Sequence, residues 1–566
     1  MKQIILCLSL VSVFLLSSAY SGDIADEVFL DGTIYTFNES LDIKNSLAIK
    51  DGLIIAVGKK SSIQKLIGDQ TKISRLNGKM MLPSFHDAHS HPVYSGIDEL
   101  KCTVLYLDNL EEVLTTIKTC LNNEITLKTG WLVGTGLDLS LFPQANPNKS
   151  LLDEISSDIP IYMVGSDGHS AWANSKALEI ANISSRTPNP LLGIIERDPS
   201  SGEPSGTLRE PSAMNLIKDI MPYDTDDMYD QAFLYAQDLA HSFGITSIIV
   251  ASVGKRELGA YKRAANKGIL NLKLVTSIEY GSTSFYSLDP KDFESVLSSR
   301  EKFRDPRINV DSVKIYIDGV LEGQTAAVLE PYIDSGRSGQ LYFSQDVLNS
   351  EISRFDAMGL QIHTHAIGDR AVRSVLDAFE YAQKLNGQTD NRHHISHLQL
   401  ISEEDISRFS ELNVAANFQS AWALPDNWIM GINLPELGQE RVDRMYPVAS
   451  VFQLGGLIVG GSDWGVSTMN PLVAIETALT RQDPDGIFKG TLNENEAMTL
   501  TEMLKAYTVN TAYLMHQEDK TGSLEIGKAA DLVILERDLY KIPIHEISEV
   551  RVLQTIIEGE TVFAID

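Results

Sequence analysis

From about residue 81 to residue 500, short apolar runs alternate with longer amphipathic stretches. "GITSIIVAS", "NLKLVTSIEY", "SVKIYIDG", "LQIHTHAIG" and "GGLIVGGSDWG" read as strands, and "MYDQAFLYAQDLAHSFG" and "RAVRSVLDAFEYAQKLNG" read as helices. Repeated strand–helix alternation builds a parallel sheet with helices outside it. Polar and ionisable residues gather at the C-terminal ends of the apolar runs. That is the reacting face of a (β/α)8 TIM-like barrel, the α/β fold expected here. A doubly wound open sheet is the alternative. The chain carries neither a GxGxxG strand–turn–helix unit nor a P-loop lysine motif, so nothing points to nucleotide phosphates.

The flanks have a different texture. Residues 22–80 contain "EVFLDGTIYTF" and "SLAIKDGLIIAVG", β-rich runs broken by Asp-Gly pairs that signal hairpins. Residues 501–566 hold a helix and then "ADLVILERD" and "RVLQTIIEGETVFAI". The expectation is one small β-sandwich composed from both termini, since chain ends often lie close together. A turn-rich segment at about 100–222 breaks the repeat and reads as an insertion after the first barrel strand. Residues 1–21 read as a signal peptide: Lys2, the apolar Ile4 to Leu16, then small residues at Ala19 and Ser21. The expected location is therefore exported, periplasmic or secreted, with no membrane contact after cleavage. Cys102 and Cys120 remain in the mature chain and can pair in an oxidising compartment.

The charge balance is 47 Lys+Arg against 76 Asp+Glu, formally −29. Such a field repels phosphate, which argues against nucleic acid and anionic membrane as partners and leaves a small-molecule substrate. Only 12 residues are histidine, yet three of them fall in "LPSFHDAHSHP", Leu82 to Pro92. On an extended strand Asp87, His89 and His91 share one face, and His86 lies on the other. Two imidazoles at i and i+2 present nitrogen donors to one point, as zinc and its neighbours require. His363 and His365 form a second such pair, His397 ends "HHISH", and Asp463 ends "GGLIVGGSD" on glycines. Any one of these is explained by a core histidine or a loop aspartate; four strand ends with metal-type donors are not. Lys314 sits mid-strand opposite Val313 and Ile315. Either its face is solvated, or the lysine is neutralised and carboxylated by CO2 to bridge two metals.

These motifs resemble the amidohydrolase superfamily, and within it the branch of N-substituted formamide deformylases. "LPSFHDAHSHP", "WLVGTGLDLSLFP", "DGHSAWANSKAL", "GEPSGTLRE", "VKIYIDGVLEGQTAA", "HTHAIGDRAV", "ISHLQL", "GSDWGV" and "GSLEIGKAADLVIL" follow the branch's order. The resemblance implies one or two divalent ions, zinc foremost. His89 and His91 would hold one ion and His365 and His397 the other, with Lys314 as an N6-carboxylysine bridge. Asp463 would be ligand and catalytic base. "HAIGD" selects His365 over His363. One departure is Ser396, where relatives often carry glutamate before the "HLQL" histidine, and it removes an expected support of His397. His169, Trp172, Arg370 and Trp464 are candidate substrate-binding residues, each with packing or ion pairing as the alternative.

The implied activity is hydrolysis, by metal-activated hydroxide, of a carbon–nitrogen bond other than a peptide bond. An esterase or lactonase on the same centre is one alternative, and a non-catalytic secreted ligand-binding protein is another. Asp369 stands where deaminases of this superfamily carry a proton-shuttling glutamate. No GxSxG elbow supports a serine hydrolase. A homo-oligomer is compatible with the sequence.

Overall fold

The computed structural model describes residues 24–105, 107–222, 224–281 and 290–565. The signal-peptide expectation for residues 1–21 lies outside them. Eight parallel strands form the central sheet: Phe85–Ser90, Ile245–Val253, Lys273–Tyr280, Ile308–Tyr316, Gln361–Ala366, His394–His397, Ala415–Phe418 and Ile458–Gly460. They are numbered here as barrel strands one to eight. Neighbours pair in parallel register, as in Lys314 opposite His363. The ends of strands eight and one meet through backbone and side chain. Asp463 N–H donates to His89 O at 2.7 Å, and Ser462 N–H donates to Asp87 Oδ1 at 3.0 Å. Gly461 makes this approach feasible, because a Cβ there would lie 2.6 Å from that of His89. The nearly closed, TIM-like α/β barrel agrees with the strand–helix alternation.

Strands from both termini join in one hydrogen-bonded sheet. Met80–Pro83 pairs antiparallel with Leu532–Leu535, Met81 facing Ile534. The two Asp-Gly pairs behave differently. Asp51-Gly52 makes the tight turn between Ile43–Lys50 and Leu53–Gly58, both residues with positive φ, as this hairpin type requires. Asp31-Gly32 makes no turn. It lies within the strand Glu27–Tyr35 at a register shift, a bulge where a Gly32 Cβ would meet the Leu76 side chain at 2.3 Å. The terminal sheet docks on the barrel's N-terminal end. Ser84 N–H donates to Asp531 O, Lys273 of strand three pairs with Asp531, and Arg307 pairs with Glu558 at 2.6 Å.

Between barrel strands one and two the chain builds a six-stranded sheet, from Cys102–Thr103 to Pro204–Arg209. It has its own apolar core around Leu132, Ile161, Met163 and Trp172. Cys102 and Cys120 form a disulfide, with Cα atoms 5.8 Å apart, tying the edge strand to the end of the helix Leu110–Cys120.

Candidate metal centre and cavity

The C-terminal ends of the barrel strands converge on Asp463. Its Oδ1 lies 3.3 Å from His89 Nε2 and 3.1 Å from His91 Nε2, and its Oδ2 lies 3.8 Å from His397 Nδ1. One donor atom each from His89, His397 and Asp463 falls within 4.8 Å of the others, a group able to hold a metal ion. The His365 ring stands 4.5 Å from that of His397. Its Nε2 lies 3.2 Å from the Gly319 carbonyl, which fixes a proton there and leaves Nδ1 as the donor atom. Lys314 is fully buried, so its strand face is not solvated. Its Nζ has no hydrogen-bond partner, and the same is true of His89 Nε2, His397 Nδ1 and Asp463 Oδ1. Buried polar atoms left in this way are costly unless another group satisfies them. The donor set fits divalent metal.

Backbone strain accompanies these positions. His397 has φ 80° and Asp463 φ 52°, a region non-glycine residues enter at a cost of about 1–3 kcal/mol each. The turn at His397 lets it join the cluster directly after His394 and Ser396. Ser396 supports other histidines: its Oγ lies 2.9 Å from both His89 Nδ1 and His363 Nε2. His397 is held instead through its backbone N–H, which donates to Gln419 Oε1 at 2.9 Å. His363 sits one layer deeper, against His89 and Ser277. His86 faces away, its Nδ1 at 3.1 Å from Ser84 O.

The electrostatics follow from burial and crowding. Burial, with the Lys314 charge, lowers His89 to about 3. Burial lowers Lys314 to about 7, against the opposing pull of Asp463 and Glu279. Burial alone would raise the Asp463 carboxyl, but His89, His91 and His397 outweigh it and hold it well below the usual carboxylate range. His89, His365 and His397 are thus held towards the neutral imidazole beside a carboxylate, with a lysine close to neutrality.

A cavity of about 300 Å³ opens above it, and His169 lines this cavity. His169 comes from the insertion and is locked to Glu210: its Nδ1 lies 2.8 Å from Oε2, and Glu210 N–H donates to His169 O at 2.7 Å. Tyr342 donates to the same Glu210 oxygen at 2.6 Å. Burial lowers the His169 pKa, but Glu210 outweighs burial and raises it overall. The other three substrate-binding candidates lie elsewhere. Trp172 is wholly buried in the insertion core against Phe142. Trp464 is buried and stacks on Tyr235. Arg370 donates to the carbonyls of Ser338 and Gly339. None of the three is among the residues that line the cavity. Trp422, which the motifs did not single out, lines the cavity and stacks on His397 at 5.4 Å. Its signal was position, just beyond the C-terminal end of strand seven.

The profile of the amidohydrolase family matches residues 75–563. The chain belongs to the amidohydrolase family. Among its relatives, Protein LONG AFTER FAR-RED 3 of Arabidopsis thaliana is 30% identical over 557 residues, covering 96% of this chain and 92% of the relative. The N-substituted formamide deformylase of Arthrobacter pascens is 27% identical over 541 residues, 92% and 96% of the two chains. A solved structure of an uncharacterized metal-dependent hydrolase from Pyrococcus furiosus aligns at TM-score 0.69 and 25% identity, covering 91% of this chain and all of that one. Family, fold and donor set agree on a metal-dependent hydrolase. The match to a deformylase along nearly the whole chain bears out the resemblance to that branch.

Proposed function

We propose that this amidohydrolase cleaves a carbon–nitrogen bond other than a peptide bond, in a small amide or formamide. The observation that carries the metal-dependent chemistry is the buried donor cluster around Asp463, where His397 Nδ1 and Lys314 Nζ make no hydrogen bond; the carbon–nitrogen bond is inferred from the similarity to a formamide deformylase. His89 and His91 would hold one divalent ion with Asp463, and His365 and His397 would hold a second. Lys314, as a carbamate, would supply a ligand to both. Its full burial and its lowered pKa support this, because only a neutral amine adds CO2. Zinc suits imidazole and carboxylate donors. When bound, such ions supply Lewis acidity at the carbonyl and acidify water.

The chain's own residues do the rest. Asp463 takes the proton of the attacking water at a carboxylate oxygen and delivers it to the leaving nitrogen. Its low pKa keeps it in the ionised form that an acceptor must have. His169, fixed by Glu210 and with its ring 5.2 Å from that of His365, binds a polar group of the substrate. The Cys102–Cys120 disulfide supports an oxidising, exported location.

Asp463→Asn tests the proton role. It should lower kcat by about a hundredfold or more, with a smaller change in KM. A variant with full turnover would refute it.

A further inference from the structure

The cavity is acidic beyond what metal binding uses. Asp98, Asp167, Glu322 and Asp426 line it besides Asp463, and Lys314 is the one lysine or arginine among the described lining residues. Glu322 and Asp426 are brought together by one short segment, Asn427–Asn433. Asp426 Oδ1 caps its start, accepting from Ile429 N–H at 2.8 Å, and Asn433 Nδ2 at its end donates to Glu322 Oε1 at 2.9 Å. Trp428 of the same segment and Trp422 line the cavity there.

An independent observation points to a ligand with donors. Gln399 also lines the cavity and is only 6% exposed. Its Nε2 donates to Tyr446 Oη at 2.9 Å, while its Oε1 is buried with no partner. The groups offered at this end are acceptors and aromatic faces. Burial, with repulsion from Glu322, raises Asp426 to about 7, and burial, with repulsion from Asp167, pushes Glu322 upward. Like carboxylates in a confined site are costly until a cation joins them.

We propose that this end of the cavity recognises an amine cation on the substrate, tethered to the carbon–nitrogen bond that is cleaved. The inference rests on the hydrolase reading above. An ammonium group carries three donors and matches two carboxylates and the Gln399 carbonyl oxygen. Tryptophan faces add cation–π attraction.

The test is calorimetric titration of the metal-loaded protein with hexylammonium chloride and with neutral hexan-1-ol. Wild type is compared with the Glu322→Gln/Asp426→Asn double variant. Wild type should bind the cation about tenfold or more tighter than the alcohol, and the variant should lose that gap. In wild type alone, added NaCl should weaken only the cation, which keeps the test valid if the variant misfolds. Equal affinities overturn the proposal. So does a preference that survives in the variant, as ligation of the metal by amine would give. Formate release from N-(5-aminopentyl)formamide and N-hexylformamide completes the test, and kcat/KM should favour the first. If neither is cleaved but the cation preference holds, the formamide reading fails and this inference stands. If both are cleaved equally and the cation binds no better, the reverse is true.

Discussion

His397 and Asp463 stand at strand ends with backbone angles that cost free energy, and both turn a donor atom towards the same point. Strained backbone of this kind clusters at functional sites. The histidines depend on what holds their second nitrogens. Ser396 Oγ contacts both His89 and His363. Ser396→Ala should therefore weaken metal binding about tenfold, as read by competition with a chromogenic chelator. Unchanged affinity would show that His363 alone orients His89. The two tryptophans near the site should separate by role. Trp464→Ala should lower stability by about 3 kcal/mol in urea unfolding, because it empties a core position. Trp422→Ala should chiefly raise KM, because its ring lines the cavity. The opposite pattern would reverse these assignments.

At the scale of elements, the donor-bearing strands were legible because a His-x-His pair at the end of an apolar run sets two imidazoles on one strand face, where neither a core nor a solvated surface requires them. The substrate-binding residues were less so. Trp464 adjoins Asp463 in sequence, yet the backbone turn there sends adjacent side chains to different environments. Trp172 lies in the motif that holds His169, but both faces of its sheet are covered. The Asp31-Gly32 pair signalled a hairpin and made a bulge, because strand pairing on both sides carries the chain straight through. Glu322 and Asp426 carry no local signature; only the tertiary fold gives them a common cavity. The disulfide closes a stretch of 18 residues within the insertion. Cys120→Ser should cost about 2–4 kcal/mol of the insertion's stability, read by thermal unfolding without reductant. No change in the transition would mean that the insertion's core holds the edge strand unaided.

For the molecule as a whole, the terminal sheet fastens the barrel's lower end, and the insertion completes its mouth. The buried Lys273–Asp531 pair joins the sheet to barrel strand three. Lys273→Ala would leave a buried carboxylate without its counter-charge and should destabilise the protein by about 3 kcal/mol. A neutral result in equilibrium unfolding would show that Thr521 and the Glu558 N–H suffice for Asp531. The proposed metal centre at the barrel end depends on Lys314. Metal content per chain, measured by mass spectrometry on wild type and on Lys314→Ala purified without chelator, tests it most directly. Wild type should hold two divalent ions, falling to one or none in the variant, with hydrolysis lost in parallel. Wild type that takes up no metal even when zinc is supplied would contradict it, and so would an unchanged content in the variant.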